Sequence, residues 1–335
     1  MKLNSLLILA SALVIAGCGT AQTDTYVSEE SGLNLTKLTD ETSTQLPGPG
    51  LTNVTKANLP TASFCGNRKC AIFWNADRDL AISPDGKELG FLSIQNKQCN
   101  VYLKNTATNS SMTQRTFRNV GDFCWGNDDV IYYQDITENS SYPISAVKAH
   151  AGNAVRQCTS SNTDMSPALS SDGSILYFAR LDRMGPSVWC LNMKTNAISS
   201  CAKGFCPAPV PGSNDSFVCV RNTTNGNSEL WLVDYVNGQE TLILSDKERS
   251  FGTPSISPDG EWILCEGNAK SSISKRENLD IFAVRMDGSQ LTRLTYHPAH
   301  DYCAVWSKDG NSIYFLSNRA NKKDKYNIWK MNFAY

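Results

Sequence analysis

Short runs of alternating apolar and polar residues recur along most of this chain, and four of them share one layout. "LAISPDGKELGFL", "PALSSDGSILYFA", "PSISPDGEWILCE" and "AVWSKDGNSIYFL" each place two strand-like runs around a Ser-x-Asp-Gly phrase. Such a phrase predicts a tight turn: Pro presets φ where present, Asp bonds its own backbone, and Gly takes positive φ. Two weaker copies, "CWGNDDVIYY" and "VPGSNDSFVCV", fill the gaps. The turn aspartates Asp85, Asp128, Asp172, Asp215, Asp259 and Asp309 are therefore 43, 44, 43, 44 and 50 residues apart. Strand-rich units with a period in the forties predict propeller blades, and six anchors predict six of them.

A third strand follows each hairpin, as in "NVYLKN", "SVWCLN", "ELWLVD", "DIFAVR" and "NIWKMN"; the second unit offers only "YPISAV". Outer strands such as "TQRTF", "AVRQCT", "ETLILSD" and "SQLTRLT" complete four-stranded antiparallel units. The sixth unit ends at "NIWKMNFAY" without a fourth strand. The phrase "LNLTKLTD", Leu33 to Asp40, matches the fourth strand of the fifth unit, "SQLTRLTY". The expectation is a six-bladed β-propeller over 33–335 whose last blade is closed by an N-terminal strand, leaving no open edge.

The first twenty residues change the picture. "MKLNSLLILASALVIAGCGT" has one basic residue, an apolar run too short to span a bilayer, and small residues before a cysteine. "IAGC" resembles the bacterial lipobox, which implies a signal peptide over 1–17, lipidation of Cys18, and, since Gly19 is not Asp, an outer-membrane anchor facing the periplasm. Residues 18–32 read as a polar, flexible tether. Loss of Met1–Gly17 moves the formal charge from -1 to -2. That balance gives no electrostatic reason for a nucleic-acid partner.

The stretch "LTRLTYHPAHDYCAVWSKDGNSIYFLSNRANKKDKYNIWKMN" resembles the WD40-like (PD40) repeat of the TolB carboxy-terminal propeller, and the likeness extends over residues 33–333. The resemblance implies a fold more than a function. Its members include a periplasmic partner of the envelope-bridging Tol-Pal system, propellers that gate peptidases, and metal-dependent sugar lyases. TolB itself carries an additional α/β domain and no lipid anchor, so the chain reads as a lipoprotein built on the same propeller.

Twelve cysteines fit an oxidising compartment. Cys190 and Cys201 are symmetric about Thr195–Asn196, and Cys206 and Cys219 about Gly212–Ser213, which makes both pairs candidate disulfides. Cys65 and Cys70 read as a third disulfide, as free thiols, or as part of a zinc site. Cys124 and Cys303, in "DFCW" and "DYCA", stand at matching places on innermost strands, as small buried side chains near the channel.

No G-x-S-x-G, P-loop or dinucleotide fingerprint is present, and no cofactor is implied. The loops "NAKSSISKRENL" and "SNRANKKDKYN" carry Lys270, Lys275, Arg276, Arg319, Lys322, Lys323 and Lys325, and "YHPAHDY" adds His297, His300 and Asp301 beside them. These predict a positive patch at the channel mouth on the face where the first strands begin. An acidic protein segment, a peptide or an anionic glycan would suit it. The leading expectation is non-catalytic binding of an envelope partner there. One alternative is a metal-dependent, lyase-like glycan enzyme with His297, His300 and Asp301 as ligands; the other is a purely architectural envelope protein.

Overall fold

A computed structural model describes residues 25–27, 34–39 and 79–333, apart from 97, 107–110, 138–141, 162, 225, 271–276 and 320–325. Strands β1 (Thr25–Val27) and β2 (Asn34–Lys37) come first. Blade one is β3–β6 (Leu80–Ile82, Glu88–Gln95, Gln98–Asn105, Thr113–Gln114) and blade two β7–β10 (Val120–Trp125, Val130–Asp135, Ile144–Lys148, Arg156–Gln157). Blade three is β11–β14 (Asp164–Leu169, Ile175–Asp182, Gly185–Asn192, Ile198–Lys203) and blade four β15–β18 (Phe205–Pro209, Ser216–Asn222, Ser228–Asp234, Gln239–Leu244). Blade five is β19–β22 (Phe251–Ile256, Trp262–Lys270, Glu277–Arg285, Thr292–Arg293), and blade six has β23–β25 (Asp301–Trp306, Ser312–Ser317, Asn327–Asn332). Every pairing is antiparallel in chain order within its blade, including blade two, whose third strand was the least legible.

The Ser-x-Asp-Gly turns work as their chemistry requires. Ser83 and Ser170 hydroxyls donate to Asp85 and Asp172 (2.7 and 2.8 Å), and Ser257 and Ser307 donate likewise to Asp259 and Asp309. Each serine oxygen also accepts the N–H five residues on, from Glu88, Ile175, Trp262 or Ser312, which starts the second strand. The glycines Gly86, Gly173, Gly260 and Gly310 have φ of 75°, 75°, 77° and 73°, which a side chain would strain.

Blade six is completed by the N-terminal segment. Leu35, Thr36 and Lys37 pair with Met331, Lys330 and Trp329, and the Leu38 N–H donates to the Ile328 carbonyl. The Thr39 hydroxyl donates to Asn327 Oδ1 (3.0 Å) and accepts the Ile328 N–H (3.0 Å). Leu35 is buried against Ile313, Phe315 and Trp329. The tether expected over 18–32 is interrupted by β1, which pairs with β2 as a fifth strand; Thr25, Tyr26 and Val27 are residues that favour strands.

The core lies between neighbouring blades. Leu89, Phe91 and Tyr102 of blade one meet Tyr302, Tyr314 and Leu316 of blade six, and Tyr177 and Val188 of blade three meet Phe217 and Val233 of blade four. This packing fixes the six first strands around a central channel.

Candidate functional site

The first strands β3, β7, β11, β15, β19 and β23 run from the far face, where they begin, toward the face carrying the Ser-x-Asp-Gly turns. Near the turn face the channel holds a cavity of about 540 Å³. Its walls include Phe123, Trp125, Pro209, Pro254, Ile256 and Trp306, and its mouth Asn127, Ser171, Pro211, Pro258 and Lys308. Each first strand is an edge strand whose inner side has no pairing partner, and Pro there removes an N–H that would otherwise face the channel. The indole N–H of Trp125 donates to Asp129 Oδ1 and that of Trp306 to the Ser255 carbonyl, both at 3.1 Å.

At the inner end, β-bulges set the geometry. In blades three to six the pairing of first and second strands shifts register at Ser166, Cys206, Thr253 and Cys303, all with positive φ (51°, 50°, 45° and 54°). A left-handed non-glycine residue costs about 1–2 kcal/mol, and a bulge leaves a ladder N–H without its partner. Acids of preceding blades take two of these donors: Asp122 accepts from Ser166 N–H and Glu266 from Cys303 N–H, both at 2.6 Å. The Cys303 sulfur in turn accepts the Asp79 N–H at 3.1 Å. Glu266 is 4% exposed. Burial, opposed only in part by the Cys303 N–H and the Thr253 hydroxyl, pushes its carboxyl up to about 7.

The turn face carries several carboxylates. For Asp85, Asp259 and Asp309 the turn serine hydroxyl, and for Asp172 the Ser174 N–H, is the chief cause holding the carboxyl below the usual range. Asp128 instead accepts from the Tyr132 hydroxyl at 2.6 Å. His150, on the same face, links two blades: Nε2 meets Glu88 (2.6 Å) and Nδ1 meets Asp129 (2.9 Å), which raises its pKa, Asp129 contributing most.

The residues expected to form a site on the far face behave differently. Asp301 is fully buried and bound by the Arg319 guanidinium (2.5 Å), which also lies over the Phe315 and Trp329 rings. Those two are an internal ion pair, a correction to their place in a surface patch or ligand set. His297 Nδ1 accepts the Ala299 N–H (3.1 Å) and His300 Nδ1 the Leu279 N–H (3.2 Å), so both ring nitrogens cap backbone. Among the described residues no three His, Cys, Asp or Glu side chains group as a metal site. Lys270 ends β20 opposite Glu277. Lys275, Arg276, Lys322, Lys323, Lys325, Cys18, Cys65 and Cys70 lie outside the described residues.

The nine described cysteines carry free thiols. Cys206 and Cys219 are not opposed: the bulge after Phe205 takes Cys206 out of register, toward Ser166, while Cys219 packs beside Cys190 and Tyr177 between blades three and four. Cys190 faces Ser199, not Cys201, because the turn spans 193–196 and Cys201 occupies a bulge. The Cys201 thiol nevertheless hydrogen-bonds Cys190, the main cause holding Cys190 below the ordinary thiol range. Cys124 and Cys303 both line the cavity, but they stand two and four residues before their turns, which corrects their expected equivalence.

No protein-family model matches this chain. An uncharacterized protein of Agrobacterium fabrum is 30% identical over 96 residues, which span 29% of this chain and 30% of that relative. An oligogalacturonate lyase from Vibrio parahaemolyticus superposes with a TM-score of 0.60 at 11% identity, covering 93% of this chain and 97% of the lyase. A protein assigned as TolB from Agrobacterium tumefaciens gives 0.58 at 14% identity, covering 76% and 90%. At these identities the likeness carries the fold alone.

Proposed function

We propose that this chain is a lipid-anchored propeller of the bacterial envelope, of the PD40 type, that binds a ligand in the turn-face mouth of its channel and performs no reaction there. The observation that carries the reading is the cavity of about 540 Å³, lined by Ile82, Pro209, Pro254, Ile256 and Val305 among others, with polar groups at its mouth. Concave, mostly apolar sites of about 300–1,000 Å³ with a few placed polar groups are where small ligands bind. A closed ring supports such a site rigidly, since every wall belongs to a paired strand. The "IAGC" motif supports the anchor at Cys18 and, through it, a periplasm-facing place on the outer membrane. The basic stretches of sequence that carry Lys270, Lys275, Arg276, Lys322, Lys323 and Lys325 are left as a second contact surface for an acidic envelope partner.

The test uses the mature domain without Cys18, immobilised and exposed to solubilised envelope of its own organism. Material eluted from it is compared with that from Ser171→Trp, which adds an indole at the exposed mouth without touching the core. Material retained by the original and lost from the variant supports the reading. Equal retention by both removes the channel from it.

A further inference from the structure

We infer that the far face of the propeller rests on the membrane surface, so that the turn face and its channel mouth point away from the lipid; this rests on the reading of Cys18 as the lipid anchor. Two observations support it independently: where the chain enters the ring, and what the far face exposes.

The entry point follows from strand order. β23 runs from the far face to the turn face, and in the sheet β1-β2-β25-β24-β23 every neighbour is antiparallel. β25 therefore runs toward the turn face, β2 back to the far face, and β1 toward the turn face again. The chain thus enters β1 at Thr25, on the far-face end of the outermost strand of blade six. Cys18 is seven residues earlier, and seven residues span at most about 25 Å when fully extended. In a ring of six, blade three stands opposite. At about 4.8 Å per strand its outer strand lies more than about 30 Å from β1, even before the width of the channel is counted. A propeller standing on that rim would hold Thr25 beyond the reach of Cys18. One standing on its turn face would use about 20 Å of the same length to pass a single six-residue strand. It would also press Asp85, Asp128, Asp172, Asp215, Asp259 and Asp309 toward headgroups that include anionic ones; all six are exposed, with Lys87 and Lys308 the basic residues of those turns.

The far face exposes apolar side chains instead. Phe117, between β6 and β7, is 61% exposed, and Met184, at the tip of the β12–β13 hairpin, is 93% exposed. Their backbones are held in place. The Val101 N–H donates to the Thr116 hydroxyl (2.9 Å) and the Cys99 N–H to Asn119 Oδ1 (3.1 Å), while Asp182 Oδ1 accepts the Met184 N–H (2.7 Å). Each apolar residue stands next to an exposed arginine, Arg118 or Arg183. The carboxylates at or near the start of first strands on this face, Asp79, Asp122, Asp164 and Asp301, are buried. An apolar tip beside a cation suits the boundary between headgroups and acyl chains. The lipid at blade six, Phe117 between blades one and two, and Met184 on blade three are three contacts spread around one face, which sets that face parallel to the membrane.

The test uses the full mature chain, lipidated at Cys18 and reconstituted in vesicles of phosphatidylglycerol and phosphatidylethanolamine in equal parts. Phe117, Met184, Ser171 or Ile198 is replaced, one at a time, by the photo-crosslinking residue p-benzoylphenylalanine. Ser171 reports the turn face and Ile198 the outer strand of blade three, and all four positions are exposed. Intact-mass spectrometry after irradiation counts lipid adducts. The expected result is adducts at positions 117 and 184 several-fold above those at 171 and 198. With lipid present on Cys18, equal yields at all four positions, a larger yield at 171 or 198, or none anywhere overturns the orientation and leaves the anchor standing. An intact mass without lipid on Cys18 overturns the anchor reading and the inference with it.

Discussion

Replacing Glu266 with Gln makes the propeller more stable at pH 8 and changes it little at pH 5. The carboxyl is buried between blades five and six, and the titratable groups facing it are Cys265, Tyr302 and Cys303, none of them a cation at these pH values. The folded state therefore holds its proton up to about pH 7, while the unfolded chain releases it near the ordinary 4.5. The folded form thus binds more protons than the unfolded form between those values, so stability falls as pH rises through that window and levels off above it. The full difference is on the order of 3 kcal/mol. Gln keeps an acceptor for the Cys303 N–H and a partner for the Thr253 hydroxyl, without the ionisation. Asp280, also pushed up to about 7, first by burial and then by Asp301, tilts both proteins alike. The lowered turn aspartates act in the opposite sense and lose their contribution only below about 3.8. Urea denaturation at pH 5, 6, 7 and 8 measures the effect. A gap between variant and parent that is the same at all four values would refute the reasoning.

Three further outcomes follow from the packing. Arg319→Leu strands the fully buried Asp301 and costs about 3–5 kcal/mol in denaturant titrations, of which adding Asp301→Asn returns a large part; full stability in the single variant contradicts the buried pair. Leu35→Ala empties the contact of the closing strand with Phe315 and Trp329 at a cost of about 2–5 kcal/mol, and an unchanged urea midpoint would mean that the strand does not close the ring. In protein made in an oxidising compartment, Cys190 and Cys201 form a disulfide and resist alkylation until reduced, whereas the deeply buried Cys219 and Cys265 react only after unfolding; mass spectrometry of the native, unreduced protein showing both outer thiols alkylated contradicts the pair.

The fold was legible because its information is local and repeated. A Ser-x-Asp-Gly turn encodes its own hydrogen bonds within six residues, and its spacing gives the blades. The closing strand was legible for a related reason, since "LNLTKLTD" repeats the outer-strand phrase of blade five. The bulges were not legible: one extra residue at Cys206 or Cys201 shifts which side chains oppose one another, and symmetry about a turn cannot count it. Charge was misread for a similar reason, because Asp301 and Arg319, 18 residues apart, cancel each other inside the protein. The cavity left no motif at all. Its walls come one or two residues at a time from strands spread over more than 200 positions.

The most direct test of the account watches both ends of the channel at once. In ¹⁵N-labelled protein lacking Cys18, the indole N–H signals of Trp125 and Trp306 report the turn-face cavity, and the amides of His297, His300 and Asn318 report the far face. On addition of the material captured from envelope, the account predicts that the two indole signals shift together and saturate. Shifts confined to the far-face amides, with both indoles unmoved, would contradict it.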